Sequence, residues 1–388
     1  MPWHETSPVN ERLKFVAAVQ RGDQTMAELC RDFGISRKTG YKLLARYEDE
    51  GPEGLRDRSR APHSSPQQTR PEIEAAILRA RKAHPTWGSK KLLVLLERER
   101  EADELPARST IDAILKRAGV VKARRRRVRL PARSAPVVDA REPNDVWSMD
   151  FKGWFRVADG TRCDPLTVND VCSRAALECR AMVSPKLEDV RYRLEKTFDR
   201  YGLPKFFLSD NGAPFASRGL GGLSRLGVWA LRLGVRMIFI EPGRPDQNGR
   251  HERYHETLKA ETATPPRSSI RAQQAAFDLF RRRYNEERPH EALGMRVPAD
   301  VYVNSPRHLP LDVPEFTYPE NFELRAVRSD GTIKWAGRFV FVGEAMAHET
   351  LGLEALDVGG WRIHLGPLCL GSLHERSRTV VPVNTRVD

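Results

Sequence analysis

A chain of 388 residues has room for about two to three domains, and 65 Lys and Arg against 52 Asp and Glu leave it at +13 with a pI near 9.7, a balance suited to a polyanion, most simply nucleic acid. Five scattered cysteines with no CxxC pair exclude a disulfide framework or a cysteine zinc site and predict free thiols in a reducing cytosol. No export signal or membrane span is predicted: MPWHETSPVNERLK lacks an apolar core, and GVWALRLGVRMIFI is broken by Arg232 and Arg236.

From Glu11 to Glu50 apolar residues recur at helical spacing: Leu13, Val16 and Ala17, then Met26, Leu29 and Cys30, then Tyr41, Leu44 and Tyr47. Gly34-Ile35-Ser36 separates the last two groups, and Ser36 suits a helix N-cap. The pattern predicts a helix-turn-helix domain over 1–56, whose third helix would offer Arg37, Lys38, Thr39 and Lys42 to a major groove. A small helical bundle without a DNA role has the same periodicity.

The Ser-, Pro- and Arg-rich stretch 57–71 reads as a linker. Over 72–120 a second helix-turn-helix-like unit is expected, with helices from Glu72 to Ala83, Lys90 to Glu99 and, capped by Ser109, on to Lys116. The linker 121–143 opens with VKARRRRVRLPAR, in which Arg124, Arg125, Arg126 and Arg127 read as a phosphate-tracking arm.

Strands then take over. VWSMDF (146–151), PLTVND (165–170), AALECRAM (175–182), KFFLS (205–209) and VRMIFI (235–240) alternate with helices near 188–201, 223–233 and 270–284, predicting an α/β domain over 144–305, a mixed sheet flanked by helices. Over 316–388 the short segments FELRAVR, TIKWAG, RFVFVG and WRIHLG, with Asp330-Gly331 as a hairpin turn, predict a small β-barrel.

Alternation along VWSMDF sends Val146, Ser148 and Asp150 to one face and Trp147, Met149 and Phe151 to the other. KFFLS ends directly in Asp210-Asn211-Gly212, at the strand end where α/β sheets place their crevice. Glu252 falls in the first turn of a helix that follows a permissive Asn248-Gly249 link. Three carboxylates from separate elements can converge, and such oxygens suit hard cations such as Mg²⁺, a pair of which assists in-line phosphoryl displacement.

Asp150 in VWSMDF, Asp210 in LSDNG and Glu252 in PGRPDQNGRHERYHETLKAE resemble the DDE triad of bacterial insertion-sequence transposases with a retroviral-integrase-like core. The later string YNEERPHEALGMRVPADVY (284–302) is similar to that family's segment after the catalytic helix. The resemblance implies a ribonuclease H-like core with helix-turn-helix units before it and a barrel after it. It implies that Asp150, Asp210 and Glu252 are catalytic and bind two Mg²⁺ ions, with Mn²⁺ a substitute, supported by Asn211, Gly212, Asn248 and Gly249. The enzyme would nick the element's ends and join the freed 3′-hydroxyls to target DNA. Its partners would be double-stranded DNA and further copies of the chain, on the bacterial nucleoid. Lys259 matches a basic position that the family uses on the terminal DNA. The interval between Asp210 and Glu252 is longer than in many integrases, with the surplus in ASRGLGGLSRLGVW, and no N-terminal His/His/Cys/Cys zinc unit is present.

Two rival readings remain at this stage. One is a DNA-binding transposase descendant that no longer cuts. The other follows from His251-Glu252-Arg253-Tyr254-His255, the HExxH pattern of zinc peptidases. That pattern lacks the metzincin extension, Leu258 and Glu261 standing where Gly and His are needed. The histidines are expected to be helix-surface or DNA-facing groups. Asp170 is given a supporting role near the site, and Asp164 and Asp246 are read as surface turn residues.

Overall fold

The computed structural model describes residues 7–59, 68–121, 139–217, 219–356, 359–374 and 380–382. The chain divides into two compact units, 1–68 and 69–388.

Helices α1 (Pro8–Arg21), α2 (Met26–Asp32) and α3 (Arg37–Glu50) build the first unit. Each opens on a hydroxyl that accepts a first-turn amide: Ser7 from Asn10, Thr25 from Glu28 and, as expected, Ser36 from Thr39. Phe15, Val16, Leu29, Cys30, Leu43 and Leu55 form the core. The expected core residues Ala17 and Tyr41 face solvent instead, Tyr41 being 59% exposed, because α3 meets its neighbours through Gly40 and Leu43. A Cβ at Gly40 would stand 2.6 Å from Cys30 Sγ and 3.0 Å from the Phe15 ring. Gly40→Val is therefore expected to destabilise this unit by ~1–3 kcal/mol, seen as a lower urea midpoint in helical circular dichroism. An unchanged midpoint would mean that α3 backs away without cost.

The second unit begins with α4 (Pro71–Ala83), α5 (Ser89–Glu97) and α6 (Arg108–Arg117), packed through Ile77, Trp87, Leu92, Leu96, Ile111 and Leu115. Ser109 does not cap α6. The cap position lies two residues earlier, at Ala107, without a side-chain cap, since burial of Ile111, Ile114 and Leu115 sets the helix phase.

The central sheet contains β1 (Val146–Phe151), β2 (Phe155–Arg156), β3 (Arg162–Asp170), β4 (Ala176–Met182), then β5 (Phe206–Ser209) after α7 (Leu187–Tyr201), and β6 (Arg236–Phe239) after α8 (Arg225–Arg232). Helices α9 (Gly249–Thr262) and α10 (Ile270–Glu286) follow. The spatial order is β4-β3-β1-β5-β6, with β2 paired to the start of β3. Strands β4, β3 and β1 are antiparallel, Asp150 lying opposite Thr167, and β1, β5 and β6 are parallel.

The two faces of β1 behave as its alternation predicts. Trp147 and Met149 pack with Phe198, Phe207 and Trp229 beneath α7 and α8, while Ser148 and Asp150 turn toward α9. Against the α9 and α10 side lie Cys179, Tyr254, Leu258, Phe277 and Phe280. The segment after α10 returns to the foot of β1, where the Tyr302 hydroxyl and Trp147 Nε1 both donate to Asn144 Oδ1, at 2.8 and 3.1 Å.

The tail is not a closed barrel among the described residues. Strands β7 (Glu323–Ala326), β10 (Thr350–Ala355), β11 (Trp361–Leu365), β12 (Leu368–Leu373) and β13 (Val380–Pro382) form an open antiparallel sheet in the order β13-β12-β11-β10-β7. Between β7 and β10, β8 (Thr332–Trp335) and β9 (Arg338–Phe341) make a separate ribbon. Asp330-Gly331 does form a turn, closed by Arg328 N–H to Thr332 O at 2.8 Å, but the strands that it joins do not pair. The tight hairpin is at Ala336-Gly337, both at positive φ (44° and 75°). The chain leaves the sheet at that first turn, so the ribbon covers the sheet through Ile333, Trp335 and Val340 rather than closing it.

Candidate active site

Asp150 ends the buried run of β1 and Asp210 follows β5 directly, so the parallel pairing of these strands brings both acids to the same sheet end. Asp210 is held locally, its Oδ1 accepting the Gly212 amide at 3.0 Å. A Cβ at Gly212 would lie 3.1 Å from that oxygen, so glycine leaves the carboxylate uncrowded. Asn211 Nδ2 donates to Ile240 O at 2.8 Å and ties the exit of β5 to that of β6. Glu252 stands exposed in the first turn of α9. Asn248 is buried, but Gly249 has an ordinary helical φ of −59° with nothing within 4 Å of where a Cβ would be, so the helix does not use the freedom expected of that glycine.

The acids act on one another. Burial, then the charge of Asp210 and more weakly that of Glu252, push the Asp150 carboxyl up to about 7, against the pull of the Phe151 amide and Lys152. Among the described residues no three His, Cys, Asp or Glu side chains are close enough to hold a metal ion as they stand. The donor chemistry still fits a hard divalent cation: three carboxylates from three elements, whose mutual repulsion such an ion would relieve.

The HExxH histidines are buried, not on the helix surface as expected, with His251 1% and His255 7% exposed. Both Nε2 atoms meet the Thr167 hydroxyl, at 2.6 and 2.7 Å, and His251 Nδ1 meets Ser148 Oγ at 2.7 Å. His255 Nδ1 lies 3.9 Å from Asp150 Oδ2. Burial pulls their pKa values down, to about 3 for His251 and about 2 for His255, where His251 and Lys152 add to the effect. With both Nε2 atoms engaged by one hydroxyl, the pair is not placed as zinc ligands.

Sequence reasoning missed Thr167 and Ser148, inside apolar runs, and Asn144, in the polar stretch before β1; their only signal is that a buried hydroxyl or amide needs a partner. Asp170 is a buried brace, accepting the amides of Asn144 and Ser173 at 2.8 and 2.7 Å. Asp164 is not a surface residue but lies buried on β3, paired with Arg162, because strand β3 extends three residues further than expected. Asp246 sits in a short turn, forked by Arg244. Lys259 is exposed on α9, as are Arg37, Lys38, Thr39 and Lys42 on α3. Arg124, Arg125, Arg126 and Arg127 lie outside the described residues.

The matching family models follow the same order along the chain. Family models described as "Integrase core domain" match residues 140–245 and 233–298, a "Helix-turn-helix domain" matches 11–63 and a "Homeodomain-like domain" 39–115. An uncharacterized 31.7 kDa protein of insertion element IS407 from Burkholderia multivorans is 29% identical over 238 residues, covering 60% of this chain and 82% of that protein. The transposase InsD for insertion element IS2 of Escherichia coli is 27% identical over 235 residues, covering 56% and 73%. Among solved structures, the HTLV-2 integrase catalytic core domain in complex with magnesium aligns with a TM-score of 0.34 at 12% identity, over 42% of this chain and 99% of that one. The chain thus carries helix-turn-helix segments ahead of an integrase core domain, and its relatives are insertion-element proteins, a transposase among them.

Proposed function

We propose that this chain is an active DDE transposase in which Asp150, Asp210 and Glu252 hold a pair of Mg²⁺ ions, or Mn²⁺ in their place. The observation that carries the reading is the parallel pairing of β1 and β5, which brings Asp150 and Asp210 to one sheet end, where burial and the charges of Asp210 and Glu252 push the Asp150 carboxyl up to about 7. A carboxyl so placed is costly to ionise alone and becomes favourable once a divalent cation shares it. When bound, such ions polarise the scissile phosphate and stabilise the attacking and leaving oxygens.

The protein's own residues do the rest. The Gly212 amide keeps Asp210 Oδ1 oriented, and the Asn211 link to Ile240 fixes the loop that presents it. Asn248, buried at the N-cap position, precedes the helix bearing Glu252. Lys259, seven residues on and on nearly the same helix face, is suited to a terminal phosphate, and the exposed Arg37, Lys38, Thr39 and Lys42 to a major groove. Arg124 to Arg127 supply a basic stretch for the backbone of double-stranded DNA. Joining two element ends calls for at least two copies of the chain.

The test uses a labelled duplex taken from the DNA that borders the coding region. With Mg²⁺ the protein is expected to nick it and expose a 3′-hydroxyl, and with EDTA to leave it whole. A duplex that is bound but never cut, at any Mg²⁺ or Mn²⁺ concentration, overturns the reading and leaves a DNA-binding protein.

A further inference from the structure

The helix that bears Glu252 also carries two histidines that phosphoryl transfer does not use. His251 and His255, one turn apart, aim Nε2 at a single atom, the fully buried Thr167 hydroxyl, at 2.6 and 2.7 Å. That hydroxyl also lies 3.0 Å from the Asp150 carbonyl oxygen on the neighbouring strand.

A hydroxyl has one proton and two lone pairs, and a carbonyl oxygen only accepts. The proton of Thr167 therefore goes to Asp150 O, and its lone pairs receive one Nε2–H from each imidazole. Both Nδ1 atoms are then acceptors. For His251 the donor is the Ser148 hydroxyl, at 2.7 Å, a shorter contact than the 3.4 Å from that hydroxyl to Asn169 O. For His255 the Nδ1 edge faces Asp150 Oδ2 at 3.9 Å and carries neither proton nor charge. Donation by Thr167 to either imidazole leaves the 3.0 Å contact to Asp150 O without a proton; with His255 it gains only a 3.9 Å approach of Nδ1–H to the carboxylate, and with His251 it turns the Ser148 proton to the longer 3.4 Å contact with Asn169 O.

We propose that His251, His255 and Thr167 form a positioning clasp: Thr167 fixes the backbone of β1 at Asp150, and two Nε2–H imidazoles fix the catalytic helix to Thr167, so that Asp150 and the helix bearing Glu252 stay in register with each other. HExxH here grips a threonine rather than zinc. The clasp presupposes that Asp150 and Glu252 are ion ligands, the reading given under Proposed function.

The test uses full-length protein. ¹⁵N-histidine NMR of the wild type is expected to show both rings neutral with the proton on Nε2; a ring carrying Nδ1–H overturns the clasp without any variant. Mn²⁺ titration by calorimetry supplies the second readout. Thr167→Val keeps the shape and removes the hydroxyl, and is expected to weaken Mn²⁺ binding about tenfold, the usual scale for partners that orient metal ligands. Thr167→Ser restores the hydroxyl and is expected to bind within about twofold of wild type. Asp150→Asn serves as the control that loses binding. Equal Mn²⁺ affinity in wild type and Thr167→Val overturns the clasp alone. A wild type that takes up no Mn²⁺ overturns the ion-ligand reading and the clasp with it.

Discussion

Asp150→Asn is expected to lose Mg²⁺-dependent nicking by at least about a thousandfold, ~4 kcal/mol of barrier, while still binding the same duplex. The amide keeps the shape of the side chain but removes the one carboxylate on which both other acids act. The same substitution should make the metal-free protein more stable at pH 8. The folded-state pKa of Asp150, about 7, lies above the ordinary carboxylate value of 3.8. Folding therefore favours its protonated form, and ionisation costs stability as pH rises from about 4 through 7, up to ~4 kcal/mol above that range. Mg²⁺ should in turn raise the melting temperature of the wild type and leave that of the variant unchanged. Two measurements decide it: nicking rates at saturating Mg²⁺, and thermal unfolding at pH 8 with and without the ion. A variant that cuts as well as the wild type removes Asp150 from the site.

The second large effect is acid lability from the same helix. His251 and His255 are held neutral, with pKa values of about 3 and about 2 against an ordinary 6.5. Lowered in the folded state, they leave the unfolded chain binding more protons, so their stabilisation is intact above pH 6.5 and is lost as pH falls below it. At pH 5 each costs ~2 kcal/mol. His290, lowered to about 3 by burial and then by Lys91, Arg288 and Arg174, adds in the same direction. Asp150 opposes them, as do Glu178 and Asp170, raised chiefly by burial, since all three are relieved on protonation. The clean readout is thus a difference. The double variant His251→Gln with His255→Gln should lose about 3 kcal/mol less between pH 6.5 and pH 5 than the wild type loses, in urea denaturation at each pH. Parallel curves for the two proteins would show that the imidazoles accept protons in the folded state.

Much of the candidate site was legible because its signals are local. Alternation along β1 assigned Ser148 and Asp150 to one face and Trp147 and Met149 to the other, and the structure places them so. Ser36 was readable as a cap because capping needs only a hydroxyl three residues ahead of an amide. The histidines were misplaced for the converse reason. Spacing shows that His251 and His255 share a helix face, but not whether that face meets water or a strand. Tyr41 was misread in the same way, and its side of α3 was decided by where Gly40 lets the helices touch.

Charge, the two periodicities of helix and strand, and acids at the ends of β1 and β5 and at the start of α9 were determined by the amino-acid sequence itself, since each depends on neighbours only a few residues away. Which faces meet was decided by the tertiary structure. Thr167 finds its two imidazoles 84 and 88 residues further along the chain, and the tail sheet stays open because a turn diverts β8 and β9 into a covering ribbon. Contacts of that range depend on how whole elements bury their apolar faces against one another, and a hydrogen bond between buried side chains forms only after that packing has removed water as the competing partner.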